Sequence, residues 1–184
     1  TRVLFLQSRT GVRIGEALGV TIDRIDFDNQ TLTVDRQWDH RAKKFKPTKN
    51  EKKRVIDLAP STIAFLKQCI ADIRRLELKK GFRNEEGFLF PSARLHFERP
   101  IDYKRVQRKL KTYLVEVFGE ETTIDIGTHA FRHTYGSSLL LAGADVMYVA
   151  DQLGDTIEVV ERTYLHLLNE LRKRNIKILH EQHG

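Results

Sequence analysis

Cysteine, methionine and tryptophan each occur once in the 184 residues. The lone thiol, Cys69, excludes an internal disulfide and any multi-cysteine zinc site, and it fits a reducing, cytoplasmic compartment. No apolar run approaches the roughly 20 residues needed to span a bilayer. No secretory signal and no basic amphipathic membrane anchor stand out. Paired-carboxylate motifs and Gly-rich phosphate loops are also missing, and the seven histidines do not fall at metal-ligand spacing. Neither a cofactor nor a metal is expected. Acid is in deficit too: 25 Asp and Glu face 32 Lys and Arg, for a net charge of +7.

That excess predicts a polyanionic partner, most simply double-stranded DNA, and no membrane. It is concentrated in two runs. Residues 36–54 hold nine Lys and Arg against Asp39 and Glu51; residues 99–111 hold six against Asp102. Either run alone reads as a solvated face. Two in one domain favour a binding surface, with Arg41, Lys43, Lys44, Lys46, Lys52, Lys53, Arg105 and Arg108 as candidate DNA contacts.

The length suits one domain with a real core. Thr1 opens in mid-pattern, with Val3, Leu4, Phe5 and Leu6 following, as expected of a fragment of a longer chain. Thr10 is expected to cap a helix over Val12–Leu18. Residues 23–58 read as three strands, including Thr31–Val34, about Ala42–Pro47 and about Lys53–Leu58, with a basic hairpin whose tip carries Lys49. Val55, Ile56 and Leu58 are its expected apolar positions. Helices are expected over Pro60–Lys80, with Ile63, Leu66, Ile70, Ile73 and Leu76 inward. Another spans Asp102–Phe118, with Tyr103, Val106, Leu110, Leu114 and Val117 inward. Three more run from a Thr128 cap to Ala142, over Asp145–Leu153, and from Thr156 to about Tyr164. A final helix over about 167–180 offers Leu168, Leu171, Ile178 and Leu179 as apolar positions. The fold class is α+β, mostly helical with a small three-stranded antiparallel sheet.

Several residues could carry chemistry. Arg13 reads as a surface arginine, or as a cation at a helix start able to hold a phosphate, with Glu16 placed to pair with it. His129 and Arg132, three apart, share a helix face. His133 points about 100° away from Arg132 and reads as a packing residue. Lys49 at a hairpin tip could protonate a leaving oxygen. Tyr164, with an ordinary pKa of about 10, needs nearby cations or a base to act as a nucleophile. Asp155 reads as a helix cap, because Asp155-Thr156-Ile157-Glu158 has capping-box spacing.

The order of these pieces resembles the catalytic domain of the tyrosine recombinases, the phage-integrase family. The motifs are Thr10-Gly11-Val12-Arg13-Ile14-Gly15-Glu16; Thr48-Lys49 followed by Arg54-Val55-Ile56-Asp57-Leu58; Thr128-His129-Ala130-Phe131-Arg132-His133-Thr134; Gln152-Leu153-Gly154-Asp155; and Thr163-Tyr164-Leu165-His166-Leu167. By that resemblance residues 1–184 form a catalytic domain without its N-terminal DNA-clamping domain, and 167–184 a tail helix exchanged between protomers of a tetramer on DNA. The resemblance implies that Tyr164 attacks a DNA phosphodiester to give a 3′-phosphotyrosyl intermediate. Arg13 and Arg132 would hold the non-bridging oxygens, Lys49 would protonate the 5′-oxygen, and His129 would serve as general acid/base. Strand exchange and religation would need neither metal nor ATP. A type IB topoisomerase, or an inert DNA-binding relative, is the alternative reading. The family most often has His or Trp where this chain has Asp155. A carboxylate there cannot donate to a phosphate; its expected role in the site is to accept a hydrogen bond from a neighbouring cation and orient it.

Overall fold

Val3, Leu4 and Leu6 turn one face of helix α1 (Arg2–Thr10) into the interior, and Gly11 in the left-handed region ends it. The computed structural model describes residues 1–48, 51–120 and 126–183, without the side chains of residues 174, 178, 179 and 183. Thr10 belongs to α1, not to the next helix: its hydroxyl donates to the Leu6 carbonyl at 2.7 Å. Arg13 instead stands at the cap of α2 (Ile14–Gly19), where the Glu16 carboxylate accepts from the Arg13 backbone N–H at 2.9 Å. The expected Thr10 cap is thereby corrected, because the preceding helix has already taken up its hydroxyl.

The strands β1 (Ile25–Asp26), β2 (Thr31–Val34) and β5 (Arg54–Asp57) form an antiparallel sheet in the order β1-β2-β5. Strand β4 (Lys44–Pro47) does not join it. It pairs with β3 (Arg36–Asp39) in a separate two-stranded hairpin, Trp38 opposite Phe45. The basic hairpin therefore turns at residues 40–43, not at Lys49. Lys49 falls in the connection from β4 to β5 and lies outside the described residues. In β5 the two faces alternate, so Ile56 is buried while Val55 points outward.

Two cores result. The larger gathers α1, α2, the three-stranded sheet, α3 (Pro60–Lys80) and α4 (Tyr103–Phe118). Pro60 stands at the first position of α3, and Asp102 caps α4 by accepting from the Lys104 N–H at 2.7 Å. Of the stripes expected on these helices, Ile63, Leu66, Ile70, Ile73, Val106 and Leu110 are buried. Leu76 and Val117 are exposed, since each lies in the outgoing end of its helix beyond the core.

The smaller core joins α5 (Ala130–Leu141), α6 (Val146–Leu153) and α7 (Ile157–His183) through Leu140, Val149, Leu153, Val160 and Tyr164. The two helices expected on either side of residue 165 follow one another along α7 and are separated by a kink at Tyr164, whose φ of −111° and ψ of 18° leave the helical range. Leu167, Leu168 and Leu171 pack the first turns of the tail onto its own domain. The expected positions Ile178 and Leu179 lie outside the described side chains. Among the described residues no helix is long and apolar enough to cross a membrane.

Candidate active site

Arg13 stands at the cap of α2 and Arg132 lies on α5, and both end on one carboxylate. Asp155 Oδ1 accepts from Arg13 Nη2 at 2.7 Å, and Oδ2 accepts from Arg132 Nη2 at 2.5 Å. Arg132, 3% exposed, is further fixed by donating from Nη1 to the Gly11 carbonyl at 3.0 Å. Asp155 follows Gly154, whose φ of +68° ends α6 and swings the chain back toward the arginines. Its carboxylate does not cap α7; Thr156 stands there, its hydroxyl accepting from the Val159 N–H at 3.4 Å. The cap expected at Asp155 stands one residue later, at Thr156, because two guanidinium groups claim the Asp155 side chain.

The charges fit this arrangement. Burial pushes the Asp155 carboxyl up, but the charge and hydrogen bond of Arg132, then those of Arg13, outweigh it and hold it below the usual carboxylate range. Burial and the nearby Arg13 lower the Arg132 guanidinium, against the pull of Asp155. It stays a cation at neutral pH, as arginine does.

His129 caps α5 and is exposed; Thr128 beside it is buried. Partial burial, His133 and the two arginines lower the pKa of His129, which keeps its imidazole neutral near pH 7. His133 is exposed, not a packing residue: its ring stands 4.8 Å from that of His129, and its carbonyl faces Tyr164.

Tyr164 is 4% exposed. Its hydroxyl donates to the His133 carbonyl at 3.4 Å, and its ring lies against Gly136. A Cβ at Gly136 would collide with the phenol, 2.8 Å from Cζ. Glycine is thus required there by close approach, not by conformation. Burial raises the Tyr164 phenol above its usual value, Arg132 lowers it and Asp155 raises it further, with burial prevailing. In this conformation the tyrosine is stowed and not activated.

Two further residues are part of the construction: Glu16, whose pairing with Arg13 three residues before it is local, and Gln152, whose partner is distant. Glu16, 1% exposed, accepts from Arg13 Nη1 at 3.2 Å and from both ends of the Arg54 guanidinium at 3.1 and 2.6 Å. Burial would raise its carboxyl, but Arg54 and then Arg13 hold it low. Gln152, 3% exposed, clasps strand β5 to α6: its Oε1 accepts from the Asp57 N–H at 3.1 Å, and its Nε2 donates to Asp57 Oδ2 at 3.3 Å. Arg54 and Gln152 stand inside motifs legible in the chain, yet their partners lie 38 and 95 residues away.

Beside the arginines opens a cavity of about 200 Å³ walled by Arg13, Thr48, Lys52, Lys53, Arg54 and Thr156, among others. Arg41, Lys43, Lys44, Lys46, Lys52 and Lys53 are exposed around it and along the hairpin, and Lys46 pairs with Asp39 at 2.8 Å. Arg105 and Arg108 are exposed on α4. The His40 ring lies 5.1 Å from that of Tyr103, which brings the hairpin turn beside the start of α4 and makes the two basic runs neighbours. Among the described residues no group of three or more His, Cys, Asp or Glu is placed to hold a metal ion.

Known proteins share this chain's sequence pattern and fold. A family profile described as the phage integrase family matches residues 2–170. Tyrosine recombinase XerC of Thermodesulfovibrio yellowstonii is 26% identical over 165 residues, which is 90% of this chain and 49% of that protein. The chain spans about half the length of the curated relatives it matches. The Tn1549 transposon integrase, solved with a circular intermediate DNA, superposes with a TM-score of 0.70 at 20% identity, over 89% of this chain and 53% of that one. The XerH site-specific recombinase bound to its difH substrate gives 0.63 at 20% identity, over 93% and 43%.

Proposed function

Because this chain belongs to the phage integrase family, we propose that it is the catalytic domain of a site-specific DNA recombinase that cuts through a covalent tyrosine intermediate. The observation that carries the reading is the convergence of Arg13 and Arg132, 119 residues apart in the chain, on a single anionic group beside His129 and Tyr164.

A DNA phosphate takes the place that the Asp155 carboxylate holds between the guanidinium groups. Tyr164 leaves its niche against Gly136, with the bend of α7 at that residue as the hinge. Its phenolic proton passes to neutral His129, its oxygen attacks phosphorus and the bond to the 5′-oxygen breaks. Lys49 supplies the proton that the leaving oxygen takes up, and neutral His129 acts as the acid/base partner. The two arginines neutralise charge growing on the non-bridging oxygens. The phosphotyrosyl ester conserves the broken linkage, so a second strand's 5′-hydroxyl can reseal it without ATP.

Arg41, Lys43, Lys44, Lys46, Lys52, Lys53, Arg105 and Arg108 position the duplex through its phosphates. In the assembled state four protomers act together, and the part of α7 beyond Leu171 leaves its own domain to dock on a neighbour. A suicide DNA substrate tests the chemistry: wild type forms a covalent adduct and Tyr164→Phe forms none. An adduct that persists in Tyr164→Phe would overturn the reading. Supercoil relaxation without two-site strand exchange would assign the chemistry to a topoisomerase instead.

A further inference from the structure

The charged groups at the seam form an alternating row, Arg54–Glu16–Arg13–Asp155–Arg132, in which every neighbouring pair is hydrogen-bonded. Arg54 begins the row and is the member that neither the sequence reading nor the proposed chemistry employs. Its side chain is 10% exposed and engages Glu16 through both Nη1 and Nη2, the bidentate fork that only arginine offers. Gly154 roofs it: a Cβ there would stand 2.6 Å from Arg54 Cδ and 2.9 Å from Nε. Arg54 is therefore held on one side by Glu16 and on the other by the residue that delivers Asp155.

Charge accounting gives the row a purpose. Glu16 is a fully buried anion with two arginine partners. If Arg13 were its only partner, the pair would be neutral, and the guanidinium would be drawn toward Glu16 and away from an incoming phosphate. With Arg54 meeting the Glu16 charge, Arg13 keeps a net positive charge to present. Glu16 then serves as a bracket for Arg13 without quenching it. We infer that Arg54 is a positioning residue that frees the charge of Arg13 for the scissile phosphate by neutralising Glu16. This rests on the recombinase reading for what Arg13 does, though not for how Arg13 is held.

The test is charge compensation, read in two ways. Arg54→Gln removes the neutralising charge; Arg54→Gln/Glu16→Gln removes the charge that needed it; Arg54→Lys keeps charge and loses the fork. In single-turnover cleavage of a suicide DNA, Arg54→Gln falls at least ~10-fold, and the double variant recovers to within ~3-fold of Glu16→Gln alone. Arg54→Lys lies between. Binding of orthovanadate, a phosphate-shaped oxyanion, by the DNA-free protein follows the same order in calorimetry, and thermal melts confirm that each variant is folded. Arg54→Gln at wild-type rate and vanadate affinity would overturn the inference. So would a double variant as impaired as Arg54→Gln, since a merely structural arginine gains nothing when Glu16 is neutralised. A wild-type protein that forms no adduct at all would fail the recombinase reading, while the vanadate arm would still decide the role of Arg54.

Discussion

Asp155 and Arg132 meet at 2.5 Å, and the same carboxylate holds Arg13 on its other oxygen. An acidic side chain thus fills the anion position of a site built from cations.

Replacing it should separate its two effects. Asp155→Asn leaves two adjacent guanidinium groups without their counter-charge, one of them 3% exposed. The folded state should lose about 3 kcal/mol in urea denaturation, near the low end for breaking a buried pair. Added inorganic phosphate should restore much of that loss, and should stabilise wild type far less, because in wild type the position is already filled. Equal stabilisation of both proteins by phosphate would show that the carboxylate does not compete for the site.

Acid should weaken the domain through the same row. Glu16 and Asp155 are both held below their ordinary carboxyl values by arginine partners. The unfolded chain therefore binds more protons than the folded one, and stability rises with pH across the interval between the two values. The contribution is complete above about pH 5 and is lost progressively as pH falls through the folded-state values. A melting-temperature profile should fall less steeply on acidification in Glu16→Gln than in wild type. Parallel profiles would contradict the assignment.

The stowed tyrosine gives a third expectation. In Gly136→Ala the new methyl group cannot coexist with the Tyr164 phenol. The ring should be expelled from the small core at a cost of about 1–3 kcal/mol, the usual range for overpacking. Tyrosine fluorescence should then show one additional quencher-accessible phenol that Gly136→Ala/Tyr164→Phe lacks. An unchanged quenching profile would mean that the backbone yields and the ring stays.

What the chain disclosed by itself, and what it withheld, divides by distance. Helices α3 and α4 announced their bounds through Pro60, Gly81, Asp102 and Gly119, all local signals. Residues 42–47 and 53–58 are adjacent in sequence and read as partners, yet β4 pairs with β3. Cross-strand packing of Trp38 on Phe45, with ring centroids 5.3 Å apart, selects the other partner. Arg13, His129, Arg132 and Tyr164 were visible by motif, whereas Arg54 as the partner of Glu16 was not, because nothing local marks an ion pair across 38 residues. Nor could a sequence pattern reveal that burial leaves Tyr164 less acidic than a free phenol.

Salt should report on the hairpin. Its turn and strand β4 expose Arg41, Lys43 and Lys44. Changing any one of them to Gln should weaken duplex binding uniformly across sequences. Each that contacts a phosphate should also reduce the slope of log K against log salt by about 1. An unchanged slope would remove that residue from the interface.

The bonds that complete the cradle join residues far apart in the chain: 121 positions from Arg132 to Gly11, and 142 from Arg13 to Asp155. On a ribosome, Arg13 emerges long before the residues that orient it. Contacts of such span are the last that a growing chain can close. A nascent or truncated product ending before Asp155 would carry a basic surface but no assembled arginine cradle. Synthesis from the N-terminus thereby delays assembly of the arginine cradle until nearly the whole domain exists.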